Sequence, residues 1–366
     1  MRVRRPDRWI RGPIADGVLA LSWLPLALVG HLVEGDRHLL AVLVAAVMFL
    51  SFAHQPLTLP LVYASPWRLA THRRLFLWCP VVALAVVVLF SQVNLLLVAV
   101  VGALWNAEHT LMQRYGIARI YGRKAGDDQG RVEKLMFLSW LVIPLLWVAG
   151  RGEIPAIVAR LNTGNIDGTA ADLLARLSTE ARFALPVVAA VAVYLSGRWL
   201  VTERGLDSGL NPGKCLYVAS TAALFAFAVV DPIAGVIGFV GSHSIEYFVL
   251  VNRSVASETR HEGTLGKIAR LRYGRLCFFV AYGAAAVGLF YLLFRVTSPR
   301  VLLVTVLTIG ALHFFYDAFI WKLRRPDVAT SLGASRAAVR ASPGSASDVA
   351  HGADPSSQAQ ASPSRP

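Results

Sequence analysis

Charged residues are scarce in this sequence, and that scarcity argues against an ordinary soluble domain. Only 16% of the 366 residues are Asp, Glu, Lys or Arg, whereas 55% are hydrophobic and the mean hydropathy is +0.54. A typical soluble domain carries about a quarter charged residues. We therefore expect an integral membrane protein.

Cysteine is also rare. Cys79, Cys215 and Cys277 are odd in number, lie in or at the ends of different apolar runs, and form no paired-cysteine motif. This excludes a structural zinc–cysteine site, and we interpret all three as small buried hydrophobic residues. The sequence shows no basic and aromatic recognition module either, so we expect no nucleic-acid partner despite a formal net charge of +14.

Long apolar runs are what the sequence does contain. A spanning helix needs roughly 20 mostly apolar residues. Ten runs approach that length: 14–30, 38–63, 75–90, 94–116, 135–150, 183–200, 215–230, 232–252, 276–295 and 300–321. The predicted fold class is an all-α, polytopic membrane helical bundle of about ten transmembrane helices. The Asp231-Pro232 pair predicts either a turn or a kink between the seventh and eighth runs.

The distribution of basic residues predicts the orientation of this bundle. If the N-terminus is cytoplasmic, the inner segments hold 26 Lys and Arg residues and the outer segments hold seven. This asymmetry follows the positive-inside rule and places both termini in the cytoplasm, in a bacterial-type plasma membrane. Anionic membrane lipids are the expected counter-charge for the basic loops. Gln113 and Arg114 are interpreted as interfacial anchors.

Two regions are predicted to lie outside the membrane. Residues 1–325 form the bundle, with one long outer loop at 151–182 in which 170–182 forms a short surface helix. Residues 326–366 are rich in Ser, Ala, Pro and Gly, a composition that buries too little apolar surface to order itself. We expect them to be a disordered cytoplasmic tail.

Four histidines lie inside predicted spans, each in a different helix: His54, His109, His243 and His313. All four helices are predicted to run from outside to inside, and the histidines stand 11 to 16 residues from the outer ends. At about 1.5 Å rise per residue this is a spread of roughly 7 to 8 Å in depth. We expect one site, a prediction that ring nitrogens more than about 10 Å apart would contradict, because metal–nitrogen bonds are about 2.0–2.1 Å.

Carboxylates accompany these histidines. Glu108 precedes His109, while Glu246 and Asp317 follow His243 and His313 by three and four residues, on the same helix faces. An ionisable group in the bilayer core costs on the order of 2.5–3.5 kcal/mol and therefore usually marks function.

Imidazole and carboxylate together suit iron, and also zinc or copper. We predict an Fe(II) site with the four histidines as ligands and with Glu108, Glu246 and Asp317 as hydrogen-bonding partners or further ligands. The expected reaction is activation of dioxygen against a lipophilic substrate that enters from the membrane. Tyr247 and Tyr316 are the aromatic residues expected to line its path. A haem-b protein and a metal-free transporter or proton relay remain alternatives.

The order of the segments "SFAHQPLTLPLVY", "LWNAEHTLMQRYG", "GFVGSHSIEYFVL" and "GALHFFYDAFIWKLRR" resembles the histidine-bearing helices of the bacterial Brp/Blh family. Members of that family are membrane-embedded iron dioxygenases that cleave β-carotene to retinal. The resemblance matches His54, His109 and His243 to family histidines, and His313 with Asp317 to the last motif. The second histidine of the family's His-x-x-x-His pair falls on Tyr247, so His313 or Glu246 would take its place. The resemblance implies a carotenoid-like or isoprenoid substrate.

Overall fold

The structure, a computed structural model, describes residues 9–93, 95–127, 129–160, 168–206 and 209–334. Within these ranges the chain forms helices and no strand. The first eight helices are α1 Pro13–Ala20, α2 Trp23–Val33, α3 Arg37–His54, α4 Thr58–Tyr63, α5 Pro66–Thr71, α6 Arg73–Val93, α7 Leu95–Ala125 and α8 Gly130–Arg151. The others are α9 Ile154–Arg160, α10 Gly168–Arg204, α11 Pro212–Val230, α12 Pro232–Ser257, α13 Thr264–Arg270, α14 Gly274–Val296, α15 Pro299–Ile320 and α16 Pro326–Ser331.

Among the described residues, nine helical segments are long and apolar enough to cross a membrane. Each coincides with a predicted span, which confirms an all-α, multi-pass membrane bundle. Two of the segments are interrupted: α1 and α2 share one, and α3 and α4 share another. Residues 95–116 of the predicted span 94–116 fall in α7, which is 31 residues long and is not among the nine, and residue 94 lies outside the described residues.

The chain turns sharply at Asp231. α11 ends at Val230, and the Asp231 carboxylate caps α12 by accepting a hydrogen bond from the Ala234 amide at 2.9 Å. A Cβ built on Gly235 would lie 2.6 Å from the Ala228 Cα, a contact that a kinked but continuous helix could not make. The pair Asp231-Pro232 is therefore a turn between two spans.

α12 is the central helix of the bundle and α14 a peripheral one. In the most apolar 18-residue stretch of the span that contains α12, 78% of the residues are buried. In the corresponding stretch of α14 only 6% are buried. α12 packs against α2, α3, α7, α11 and α13. Its packing on α2 is close because glycines meet small residues: Gly238 faces the Trp23 carbonyl and the Ala27 methyl, and Gly30 faces Ala234.

The predicted outer loop differs from the structure. Residues 168–182 are the first turns of α10, which continues without a break to Arg204, and not a separate surface helix. They stay against α8 because Ser178 Oγ and Arg182 Nε both donate hydrogen bonds to the Gly150 carbonyl, at 3.0 and 2.6 Å. Residues 161–167 of the predicted loop lie outside the described residues.

The predicted boundary of the disordered tail is wrong for its first residues. Pro326–Ser331 forms α16, and Val328, Ala329, Leu332 and Ala334 are buried in the largest core cluster. Apolar side chains at these positions give the segment enough buried surface to order it. The rest of the predicted tail, 335–366, lies outside the described residues.

Candidate metal centre

A break in the second span positions the first histidine. α3 ends at His54, and a short 3-10 turn over Gln55–Leu57 precedes α4. Pro56 has no amide hydrogen, so regular helical bonding cannot continue through it. The Tyr282 hydroxyl donates to the Ala53 carbonyl at 2.5 Å, which ties the break to α14.

The four predicted histidines form one cluster. Between rings, centroid separations are 4.6 Å for His54–His243, 4.9 Å for His54–His313, 4.7 Å for His109–His313 and 5.3 Å for His109–His243. All four side chains are buried. α3, α7, α12 and α15 each contribute one ring, so the four helices meet at this cluster, and these ring separations lie well below the roughly 10 Å that would contradict a single site.

Two histidines and one aspartate form a compact triangle inside this cluster. His109 Nε2 lies 3.1 Å from His313 Nε2, and Asp317 Oδ2 lies 3.7 Å from each of these nitrogens. Two ligands bound about 2.1 Å from one metal at angles of about 90–110° stand roughly 3.0–3.4 Å apart. The triangle therefore has nearly the size of one face of a metal coordination sphere.

Hydrogen bonds orient two members of the triangle. His313 Nδ1 lies 2.8 Å from Thr58 Oγ1, and the Tyr247 hydroxyl donates to Asp317 Oδ1 at 3.0 Å. Thr58 Oγ1 and the Tyr247 hydroxyl are themselves 3.0 Å apart. With Nδ1 of His313 and Oδ1 of Asp317 engaged in this way, Nε2 and Oδ2 are left to face His109.

The other two histidines carry nitrogen atoms that no described group satisfies. His54 Nδ1 lies 3.0 Å from Ser244 Oγ, but His54 Nε2 and both ring nitrogens of His243 are buried without a hydrogen-bond partner among the described residues. Buried polar atoms without partners are costly. One ligand atom each from His54, His243 and His313 lies within 4.8 Å of the others, a second set of donors close enough together to be a candidate for one cation.

The predicted carboxylates divide into two kinds. Asp317 joins the histidines, whereas Glu246 pairs with Arg114 at 2.8 Å and accepts a hydrogen bond from Gln113 at 3.2 Å. Glu108 is half-buried and belongs to neither His/Asp group. Of the three, the structure thus brings only Asp317 to the imidazole rings.

Arg114 and Gln113 are not interfacial anchors. The Arg114 guanidinium is fully buried and donates to Thr221 Oγ1 and Ser242 Oγ at 3.1 and 3.0 Å, in addition to its ion pair with Glu246. Gln113 Nε2 donates to the His243 carbonyl at 2.9 Å. These residues hold the middle of α12, and with it His243, against α7.

Tyr247 and Tyr316 differ in their distance from the cluster. The Tyr247 ring lies 5.3 Å from that of His54 and 4.8 Å from that of His313. Tyr316 instead donates its hydroxyl to the Phe76 carbonyl at 2.7 Å and lies against α6. Tyr247 is therefore part of the site.

The structure contains a second buried polar cluster that was not predicted from the sequence. Lys214 Nζ pairs with Asp127 at 2.6 Å, with Glu203 at 2.5 Å and with Glu133, and Arg119 pairs with Asp127 and Glu133 at 2.6 and 2.7 Å. Burial alone would raise the pKa of Asp127, but hydrogen bonds from Lys214 and the Gln129 amide, together with the nearby cations, lower it. Lys214 and Arg119 are thus neutralised by carboxylates of the chain rather than by lipid.

Comparison with known proteins finds no matching family model, no matching curated protein and no matching solved structure. The likeness to the Brp/Blh family therefore depends on the quoted histidine motifs alone.

Proposed function

We propose that the protein is a membrane-embedded, non-haem iron oxygenase of the dioxygenase type that acts on a lipophilic substrate. The observation that carries this proposal is the triangle of His109 Nε2, His313 Nε2 and Asp317 Oδ2. Two histidines and one carboxylate on one face, with the remaining positions open, are the ligand pattern of non-haem Fe(II) oxygenases. Iron held there would supply the activation of dioxygen.

The protein's own residues have definite parts in this proposal. His109, His313 and Asp317 would bind the metal, and His54 on α3 and His243 on α12 would supply up to two further donors, which leaves at least one octahedral position open. Thr58 Oγ1 would accept a hydrogen bond from the Nδ1–H of His313, which leaves the Nε2 lone pair for the metal. The Tyr247 hydroxyl holds one oxygen of Asp317 and thereby turns the other toward the histidines.

The proposed metal site is packed among buried apolar side chains. Leu57, Leu61 and Leu312 belong to the same buried cluster as Tyr247, so apolar side chains surround the polar group. An apolar shell excludes water and suits a substrate dissolved in the bilayer. A carotenoid-like or other isoprenoid substrate follows from the family resemblance, and the apolar surroundings are compatible with it.

A haem protein and a metal-free proton relay would each need a different arrangement of these histidines. A haem with two axial histidines needs a slot the width of a porphyrin, whereas these imidazoles pack against one another edge to face. A metal-free proton relay needs only the hydrogen bonds among His313, Thr58, Tyr247 and Asp317. That network is present, and it makes the relay the second candidate.

The test is the metal content of detergent-purified protein by plasma mass spectrometry, with an absorption spectrum of each sample. Wild type is compared with His109→Ala and Asp317→Asn. His72→Ala is the matched control, because His72 contacts Phe76 and Phe319 outside the cluster. We expect roughly one iron per chain in wild type and in the control, loss of iron in both site variants, and no Soret band.

Other outcomes would contradict the proposal in distinct ways. A Soret band would identify a haem protein. Folded wild type that takes up no metal when supplied with Fe(II) would favour the proton relay or a transporter.

A further inference from the structure

An apolar groove opens on the lipid-facing side of α14. It has a volume of about 500 Å³ and lies between α4, α13 and the first turns of α14. Leu271, Tyr273 and Cys277 line it and are exposed, so the groove is accessible from outside the bundle, and the expectation that Cys277 is buried is wrong. Its size falls within the range of small-molecule sites, about 300–1,000 Å³.

The rim of this groove is strongly basic. Lys267, Arg272 and Arg275 are exposed, and each adjoins in sequence a residue that lines the groove; the Arg272 guanidinium sits 5.1 Å from the centroid of the Tyr273 ring, which is part of the lining. No acidic residue occurs between positions 263 and 316. The positive charge at the rim is therefore uncompensated within this stretch of the chain.

We propose that this groove is a binding site for one anionic phospholipid, with an acyl chain between α4 and α14 and the headgroup phosphate at Arg272 and Arg275. The apolar lining recognises the chain, and the basic rim distinguishes an anionic headgroup from a zwitterionic one. Each basic residue near a membrane surface strengthens the binding of anionic lipid about fivefold. The site is separate from the metal chemistry proposed above and does not depend on it.

The groove adjoins the interrupted span that carries His54. Pro60 and Tyr282 line it, and the Tyr282 hydroxyl holds the Ala53 carbonyl immediately before His54. A lipid in the groove therefore packs against the interrupted span that carries His54 and Thr58. Lipid occupancy would stabilise this span without contacting the imidazoles.

Native mass spectrometry of the delipidated full chain tests the proposal. The protein is titrated with dioleoyl phosphatidylglycerol and, separately, with dioleoyl phosphatidylcholine. We expect a first phosphatidylglycerol adduct that forms at about tenfold lower concentration than the phosphatidylcholine adduct. Arg272→Gln should weaken phosphatidylglycerol binding about fivefold and leave phosphatidylcholine binding unchanged.

The chain offers matched controls. Arg295 sits 5.6 Å from the centroid of the Tyr291 ring near the other end of α14, so Arg295→Gln removes an equivalent cation away from the groove and should leave the preference intact. Ala281→Trp should fill the groove and weaken both adducts, whereas Val287→Trp, on an exposed position outside the groove, should not.

Alkylation of Cys277 gives a second readout that locates the lipid. Phosphatidylglycerol should slow the reaction of Cys277 with a maleimide in wild type, and it should do so less in Arg272→Gln at the same lipid concentration. Equal affinity for the two lipids, or a preference that Arg272→Gln leaves unchanged, would overturn the proposal. Metal content is not measured in this experiment, so its failure is distinct from failure of the iron site.

Discussion

His109 and His313 face each other through the same ring atom, with their Nε2 atoms 3.1 Å apart in the interior of the bundle. Two lone pairs cannot be held at this distance without something positive between them. Either one ring donates an N–H hydrogen bond to the other, or both rings bind one cation. Asp317 Oδ2, 3.7 Å from both nitrogens, favours the cation because it places a third ligand atom at the same point.

Removing the Tyr247 hydroxyl should weaken metal binding without abolishing it. Tyr247→Phe deletes the hydrogen bond that orients Asp317, and loss of such a supporting bond typically lowers metal affinity 10–100-fold. The measurement is competition for Fe(II) with a chelator of known affinity. Tyr63→Phe is the control, because it removes a hydroxyl bonded to the Phe76 carbonyl, outside the cluster. Equal affinities in the two variants would show that Tyr247 has no orienting role.

Breaking the Arg114–Glu246 pair should destabilise the bundle. Glu246→Leu leaves the fully buried guanidinium of Arg114 without its counter-charge, which costs about 3–5 kcal/mol. The double variant Arg114→Met/Glu246→Leu should recover much of that loss, since a buried ion pair replaced by apolar residues is often nearly neutral. The free energy of unfolding in mixed micelles measures both. If the loss in the double variant equals the sum of the losses in Arg114→Met and Glu246→Leu alone, the two side chains are not coupled.

The Lys214 cluster should make stability depend on pH in a defined direction. Because the native pKa of Asp127 is lowered, this carboxylate stabilises the fold above its unfolded pKa, and the contribution is lost as pH falls through the native pKa. Lys214→Met removes the main cation, so its unfolding temperature should lie furthest below wild type near pH 7.

The difference between Lys214→Met and wild type should shrink only below about pH 4, because the lowered pKa of Asp127 keeps this carboxylate charged above that range. Lys134→Met removes an exposed cation of the same type and should follow wild type at every pH. A Lys214→Met deficit that is constant with pH would exclude the electrostatic explanation.

The turn at Asp231 should not tolerate a methyl group at Gly235. Gly235→Ala places a Cβ 2.6 Å from the backbone of Ala228, so α11 and α12 must separate at a cost of about 1–3 kcal/mol. Gly288→Ala is the matched control, because a Cβ at that helical position meets no atom within 4 Å. Thermal unfolding of the two variants distinguishes a packing effect from a change in helix propensity. If both variants unfold like wild type, the two helices are not in the contact described.

The histidine cluster could be predicted because its residue types are so unusual in a bilayer. A histidine or aspartate in an apolar helix is conspicuous, and helical rise alone gives its depth, so His54, His109, His243 and His313 were identifiable as members of one level. The partners that orient them were not: Thr58 and Ser244 are common polar residues in spanning helices, and nothing in their spacing indicates a contact with α15 or α3. The sequence also assigned Arg114 to the interface, because a cation near the end of an apolar run usually lies there.

By itself, the sequence determined the class of the protein, because an apolar chain of this kind can satisfy its backbone in a bilayer only as helices. It also determined which residues are too polar to face lipid. Tertiary structure alone decided which of them meet. The packing of α15 against α7 brings Asp317 to His109, and the packing of α12 against α7 brings Glu246 to Arg114 instead. Residues far apart in the chain are brought together by such packing, and helical periodicity within one segment carries no information about its neighbours.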